Sequence, residues 1–319
     1  MDPLPIIHVC LERGSHACKR HVAPYWRRIQ RRTTVQTIET LHDRASWPSA
    51  LYLMTGLDGM DVTQLALVGA LWDELQKRPN QCRALNDPRR VKDRYSLLTE
   101  LRQKGMNDFG VFRLDEIPCD LRYPVFVRYE RLHRANLTPL LHSRAQLDDA
   151  LAALIDRGEC PCELLVVEWL DYKDDDGYYR KWGAHKTGPF VFGKHLMAGS
   201  HWMVKRKTTE RRAVGSDELP YVADFPHHDL LAPVFEMSGH DWARIDYSFC
   251  RGRLQVWEIN DNPELGTKWK RDFGRRKVQQ RVFANFERAF AHVTEGVQLG
   301  VPMQFSLGRK GASQVAEGN

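Results

Sequence analysis

The segment RIDYSFCRGRLQVWEINDNP, Arg244 to Pro263, constrains the fold more than any other stretch of the chain. Two alternating, strand-like runs flank a Cys-Arg-Gly-Arg turn, the pattern of an antiparallel hairpin. Centred near Gly252, the hairpin sets Asp246 and Glu258 equally far from the turn and directly opposite each other. Glu258 and Asn260, two apart, share one face. Facing carboxylates repel by roughly a kcal/mol or more even in partly polar surroundings, so a chain keeps such a pair where a cation or a shared proton compensates. The three oxygen ligands suit Mg²⁺, which takes one or two protein carboxylates and completes its octahedron with water and phosphate oxygens. Ile245, Tyr247 and Phe249 alternate with the polar set on the first run, and Trp257 and Ile259 do so on the second. Leu254 and Val256 are expected to share the acidic face toward the turn. A surface hairpin with its acids in water is the alternative, and the apolar alternation on both runs argues against it. Arg244, two residues before Asp246 on the same face, supplies a fixed positive charge.

At 319 residues, with 42% hydrophobic residues and a mean hydropathy of −0.51, the chain can bury a full core as one multi-lobed unit or two domains. No apolar run approaches the roughly 20 residues of a membrane span. The N-terminus lacks the basic region and long apolar core of a signal peptide, so cytoplasm is the expected location. Seven scattered cysteines without paired Cys-x-x-Cys spacing read as reduced thiols, and Cys160-Pro161-Cys162 is too tight for a zinc knuckle. The net charge of +6 is a mild excess of 47 basic over 41 acidic residues, which an anionic nucleotide explains as well as RNA would. Nucleic acid and membrane are therefore not expected partners.

Along the chain, residues 1–45 carry the basic stretch YWRRIQRRTT, expected as a basic arm or a short helix packed on the body. Ala50 to Gly56 reads as a buried strand, and Val62 to Lys77 as a helix. Asp87 and Pro88 are expected to cap and start a second helix that stops at Gly105. VFRLDEIP and YPVFVRYE read as strands, and Ser143 with Gln146 opens a helix that runs to Gly158. Glu163 to Leu170 is a continuous apolar strand. Tyr178 to Lys205 suggests antiparallel strands crowded with Arg180, Lys181, His185, Lys186, Lys194, His195 and Lys205. A polar insertion, Lys207 to Leu219, separates them from the hairpin, and Val278 to Val293 forms an aromatic helix. The tail from Gly308 has the composition of a disordered segment.

The order Arg-x-Asp, a short turn with Gly, then Glu-x-Asn with Pro three residues after the Asn resembles the metal-binding signature of ATP-grasp ligases. LRYPVFVR (Leu121 to Arg128) resembles the first nucleotide-covering strand of that family, and ELLVVEWLD (Glu163 to Asp171) the strand and hinge against which adenine lies. The resemblance spans roughly Trp47 to Phe290 and is strongest from Tyr123 to Pro263. It implies an α+β, ATP-grasp-like fold in which a nucleotide is clamped between two α+β lobes beside a short N-terminal α/β part. The expected divisions are an arm over 1–45, an α/β region over 46–120, a small lobe over 121–170, a large metal-bearing lobe over 171–306 and a tail over 307–319.

Under that resemblance ATP is bound by Arg128, Glu168, Trp169, Leu170 and Asp171, and Mg²⁺ by Asp246, Glu258 and Asn260. Trp169 and Leu170 would lend an N–H and a C=O to the adenine edge, and Asp171 or one of Asp174 to Asp176 would hold the ribose. Arg128 stands where the family carries a lysine, and the loop after it lacks the usual glycines, leaving Arg131, His133 and Arg134 as alternative phosphate contacts. The implied activity is an ADP-forming carboxylate–amine ligase. A carboxylate becomes an acyl phosphate that an amine or similar nucleophile displaces, with Arg244 as the catalytic residue steadying it. A kinase acting on a non-carboxylate acceptor and a degenerate nucleotide-binding regulatory module remain open. The residues name neither substrate.

Overall fold

The computed structural model describes residues 4–14, 26–131, 136–265 and 275–307. His133, Arg134 and the tail from Gly308 lie outside the described residues. The N-terminal part contains β1 (Ile6–Cys10), α1 (Trp26–Arg31), β2 (Thr33–Thr37), β3 (Ser46–Trp47), β4 (Ala50–Met54), α2 (Val62–Gln76) and β5 (Cys82–Leu85). β2, β1, β4 and β5 form, in that order, an all-parallel sheet. β1 (IIHVC) and β4 (ALYLM) are buried at every position, as strands covered on both faces require. Part of the stretch expected as an arm is therefore built into the sheet: Ile6–Cys10 is one of its two inner strands. α1 packs on the body through the buried Trp26 and Ile29. A capping box between Asp61 and Gln64 opens α2.

α3 (Arg94–Gln103) starts later than expected, because Asp93 caps it by accepting the Ser96 N–H, while Asp87 holds a separate turn at Arg89. β6 (Val111–Arg113), β7 (Val125–Tyr129), α4 (Arg144–Asp156) and β8 (Leu164–Glu168) follow. The strands pair antiparallel in the order β6-β8-β7, and Leu147 and Leu154 of α4 share a core with Val125, Val127, Leu164 and Val166.

The C-terminal part comprises β9 (Tyr179–Thr187), β10 (Phe190–Gly199), α5 (Arg211–Val214), α6 (Glu218–Asp224), α7 (His228–Ser238), β11 (Trp242–Cys250), β12 (Arg253–Asn260), α8 (Arg276–Val293) and β13 (Met303–Gln304), which pairs with β3. The sequence 207–219, expected as a polar insertion, is largely helical. β10, β9, β11 and β12 form an antiparallel sheet in that order, and α8 buries Val278, Val282, Phe286 and Phe290 in the main core.

The β11–β12 turn consists of Arg251 (φ 49°) and Gly252 (φ 76°), both left-handed, as a two-residue hairpin turn demands. From there Cys250 pairs with Arg253 and Tyr247 with Val256, but Asp246 pairs with Glu258, so Trp257 is an extra residue in the ladder. Without this bulge a one-residue slip would put the two acids on opposite faces. The bulge also overturns one expectation. Leu254 and Val256 pair with Phe249 and Tyr247 and lie on the apolar face, away from the acids.

Candidate functional site

Several segments enclose a slot of about 170 Å³. β7 and the end of β8 give Phe126, Arg128, Trp169 and Leu170; the segment after β10 gives Trp202 and Met203; the hairpin gives Trp257 and Glu258. Phe126 packs on Trp202 with centroids 5.2 Å apart, and Phe109 stacks on Trp257 at 5.0 Å. The walls are thus rich in aromatic side chains. Arg128, Lys181, Lys205 and Glu258 bring charge to them.

The residues expected at the hinge behave differently from one another. Leu170 lines the slot, and its N–H and C=O have no partner among the described residues. The Trp169 N–H is committed to the Pro124 carbonyl at 2.9 Å, which removes it as a donor to a base. Its buried indole N–H is unpaired among the described residues. Glu168 also borders the slot, but its carboxylate accepts the Gly110 N–H at 2.6 Å, the Arg122 N–H at 3.1 Å and the Arg122 guanidinium. Burial works to raise that carboxyl, yet the bonds from Arg122 and Gly110 hold it below the usual carboxylate range. Glu168 is a structural latch between the strands. Asp171 is exposed and outside the lining, and Asp174 and Asp176 both bind Arg180. This cluster has the character of a solvated turn.

Asp246 and Glu258 face one another across the ladder, and Arg244 faces Asn260. Arg244 Nε donates to Asp246 Oδ1 at 2.8 Å, and Lys181 Nζ lies 3.2 Å from Oδ2. Burial works to raise the Asp246 carboxyl, but Arg244 and Lys181 hold it below the ordinary range. Arg128 donates to Glu258 Oε2 at 2.9 Å, Arg94 approaches the same oxygen at 3.5 Å, and Arg244 lies 4.0 Å from Oε1. Four fixed cations therefore surround two carboxylates. The excess positive charge is what an entering polyanion would neutralise. Arg128 also keeps a buried Nε–H unpaired among the described residues.

Arg94 and Lys181 complete this cluster. Lys181 is one of several basic candidates in the sequence, whereas no local pattern marks Arg94, one arginine of a basic run. Its role comes from α3, which buries it completely and lets it donate to the Tyr129 and Glu130 carbonyls at 2.8 and 2.9 Å. Burial and the neighbouring Arg128 push it down to about 10, so it stays charged at neutral pH. Of the other basic residues, Lys186 lies 3.7 Å from Asp241, and Lys194 is buried on the Leu265 carbonyl. His185 lies in the core among Phe192, Trp242 and Phe286. His195 sits 3.8 Å from Asp246 above Gly183, where any Cβ would come within 2.3 Å of its ring. Burial keeps His195 neutral.

The donor set fits a hard cation in kind: two carboxylates from adjacent strands, with the Asn260 amide two residues on. No group of three or more His, Cys, Asp and Glu side chains that could hold a metal occurs among the described residues. Both carboxylates are ion-paired, and Asn260 Oδ1 accepts the Asn262 N–H at 2.8 Å. Just beyond, the Asp261 carboxylate accepts the Gly56 and Leu57 N–H groups at 2.9 and 2.8 Å, and Asn262 donates to the Gly14 carbonyl at 3.0 Å. These bonds tie the end of β12 to the loops after β4 and β1. Those loops, with Tyr129, Arg131 and Glu163, line a second cavity of about 640 Å³.

No protein-family model and no curated protein matches the chain. Among solved structures it is similar to a D-alanine–D-alanine ligase from Bacillus anthracis complexed with ATP, at 12% identity and a TM-score of 0.51, over 91% of this chain and 99% of that one. The D-alanine–D-alanine ligase from Coxiella burnetii is similar at 12% identity and a TM-score of 0.50, over 91% of this chain and 96% of that one. At such identity the likeness is one of fold. The chain has an α+β ATP-grasp fold, as the order of its motifs implied.

Proposed function

We propose that the protein is an ATP-dependent, ADP-forming ligase that activates a carboxylate for attack by an amine or similar nucleophile. The observation that carries this reading is the continuity of an aromatic slot with a four-cation cluster around Asp246 and Glu258. Adenine would lie between Trp202, Phe126 and Trp257, with its edge on the Leu170 N–H and C=O, which are unpaired among the described residues. At about 170 Å³ the slot suits a base, and the phosphates would extend toward Arg128 and Lys181. Arg128 replaces the family's lysine with a planar fork of donors, one of them unpaired among the described residues.

Asp246, Glu258 and Asn260 would hold Mg²⁺, which when bound would neutralise charge on the phosphates. Arg244, on the same face, would steady the oxygens of the activated carboxylate, and Arg94 would keep Arg128 and Glu258 in place through β7. The second cavity lies at the carboxyl ends of parallel β1 and β4, the customary binding edge of such sheets, and is the candidate acceptor site. Catalysis of this kind is mostly positioning and electrostatics, so no serine or cysteine nucleophile is called for.

The test is nucleophile dependence. A screen of acids and amines with ATP and Mg²⁺ should release ADP and phosphate only when both an acid and an amine are present. Release of ADP without free phosphate, with an alcohol and no acid, would favour a kinase, and no nucleotide response at all would end both readings.

A further inference from the structure

Cys160 and Cys162 flank Pro161 on the exposed turn that leads into β8, and neither borders the slot. Pro161 opens a single 3-10 turn, Pro161–Glu163, and its ring fixes the backbone between the two thiols. Held this way, the two Sγ atoms lie 2.7 Å apart, and both residues are exposed. Cys119 is also exposed but makes no such pair among the described residues.

Disulfides exchange by attack of a thiolate on a disulfide sulfur through a mixed intermediate, so a second thiol within reach resolves that intermediate faster than any thiol from solution. The contact between the two sulfurs raises the Cys162 thiol, and either sulfur can attack while the other resolves the mixed disulfide.

We infer that Cys160-Pro161-Cys162 is a dithiol site that reacts with low-molecular-weight disulfides of the glutathione type and cycles between two thiols and an internal disulfide. With Cys160 as the attacking group, its thiolate in the first step attacks one sulfur of the external disulfide, expelling one thiolate, which takes up the proton lost by Cys160. In the second, the Cys162 thiolate attacks the Cys160 sulfur and expels the second thiol, which takes up the proton lost by Cys162. Two protein thiols are oxidised and one external disulfide is reduced to two thiols. Nothing in this chemistry depends on nucleotide binding.

The test is to equilibrate the folded protein with excess oxidised glutathione, quench with acid, alkylate the remaining thiols and map the peptides by mass. The peptide holding Cys160 and Cys162 should lack both thiol hydrogens and carry neither alkyl group nor glutathione, while Cys119 carries one or the other. Dithiothreitol should restore alkylation. In Cys162→Ser, glutathione should accumulate on Cys160 well above its level in the unmodified chain. The substitution lies on an exposed turn, and an unchanged melting temperature would establish that the variant is folded. Full alkylation of Cys160 and Cys162 under conditions that glutathionylate Cys119 would overturn the inference. So would a Cys162→Ser variant with no excess adduct on Cys160.

Discussion

Replacing Glu258 by Gln should weaken the fold as well as the proposed chemistry. From the hairpin alone, the substitution removes a repulsive charge opposite Asp246 and looks neutral or mildly stabilising. The structure reverses that sign, because Glu258 is the anion on which Arg128 (2.9 Å) and the fully buried Arg94 (3.5 Å) converge. Removing one partner of a buried ion pair costs about 3–5 kcal/mol. Here the Glu258 side chain is 19% exposed, and Arg94 keeps the Tyr129 and Glu130 carbonyls, so water and those bonds absorb part of the loss. Relief of the repulsion with Asp246 returns roughly 1 kcal/mol. The balance is a loss of about 2 kcal/mol, or roughly 4 °C in melting temperature for a chain of this size. Thermal unfolding of both proteins, with and without millimolar ADP in the absence of Mg²⁺, measures it. The variant should melt lower and gain more from ADP, because the phosphates replace the missing anion. A Glu258→Gln protein that melts at or above the unmodified chain would refute the assignment of Glu258 as the counter-ion of these arginines.

Trp202→Ala should weaken ATP binding by about 1–3 kcal/mol, the usual worth of one base–aromatic stack, and titration calorimetry would detect the loss; unchanged affinity would remove Trp202 from the site. Burial lowers His185, His195 and His227 and pushes His240 down to about 4, so all four stay neutral in the folded chain while their unfolded counterparts take up protons below about pH 6.5. Stability should therefore be full above that pH and decline below it, and a denaturation midpoint that is flat from pH 7.5 to 5 would contradict the assignment. The depressed carboxyls of Asp246 and Glu168 work further down: their contribution is present above about pH 4 and lost as pH falls through their lowered folded values. Asp261→Ala strips the acceptor from two backbone N–H groups and should cost about 3 kcal/mol in a urea titration, whereas an unchanged midpoint would show that the β12 tie to the Gly56 loop is dispensable.

The hairpin was the most legible part of the sequence because strand alternation is local. The pairing of Asp246 with Glu258 followed from counting outward from the turn. The count succeeded only because a bulge at Trp257 compensates a turn centred between Arg251 and Gly252, and no rule of alternation signals that bulge. The helix over Arg144–Asp156 was legible from its capping residues. β1 was not, since IIHVC is short and precedes a basic stretch, and only its pairing with β2 and β4 makes it an inner strand. At the site, Leu170 and Arg128 both line the slot. The use of Glu168 as a latch on Arg122 and Gly110 depends on partners 46 and 58 residues away. Arg94 depends on one 164 residues away. Long-range pairing of this kind leaves no local pattern.

Calorimetric titration of the protein with ATP in the presence and absence of Mg²⁺, repeated on Arg128→Ala and Lys181→Ala, tests the central claim most directly. The account predicts one site per chain, tighter binding with Mg²⁺ than without, and a marked loss of affinity in both variants. No heat and no change in melting temperature at millimolar ATP, or binding that both substitutions leave untouched, would contradict a nucleotide site built on the aromatic slot and its cations.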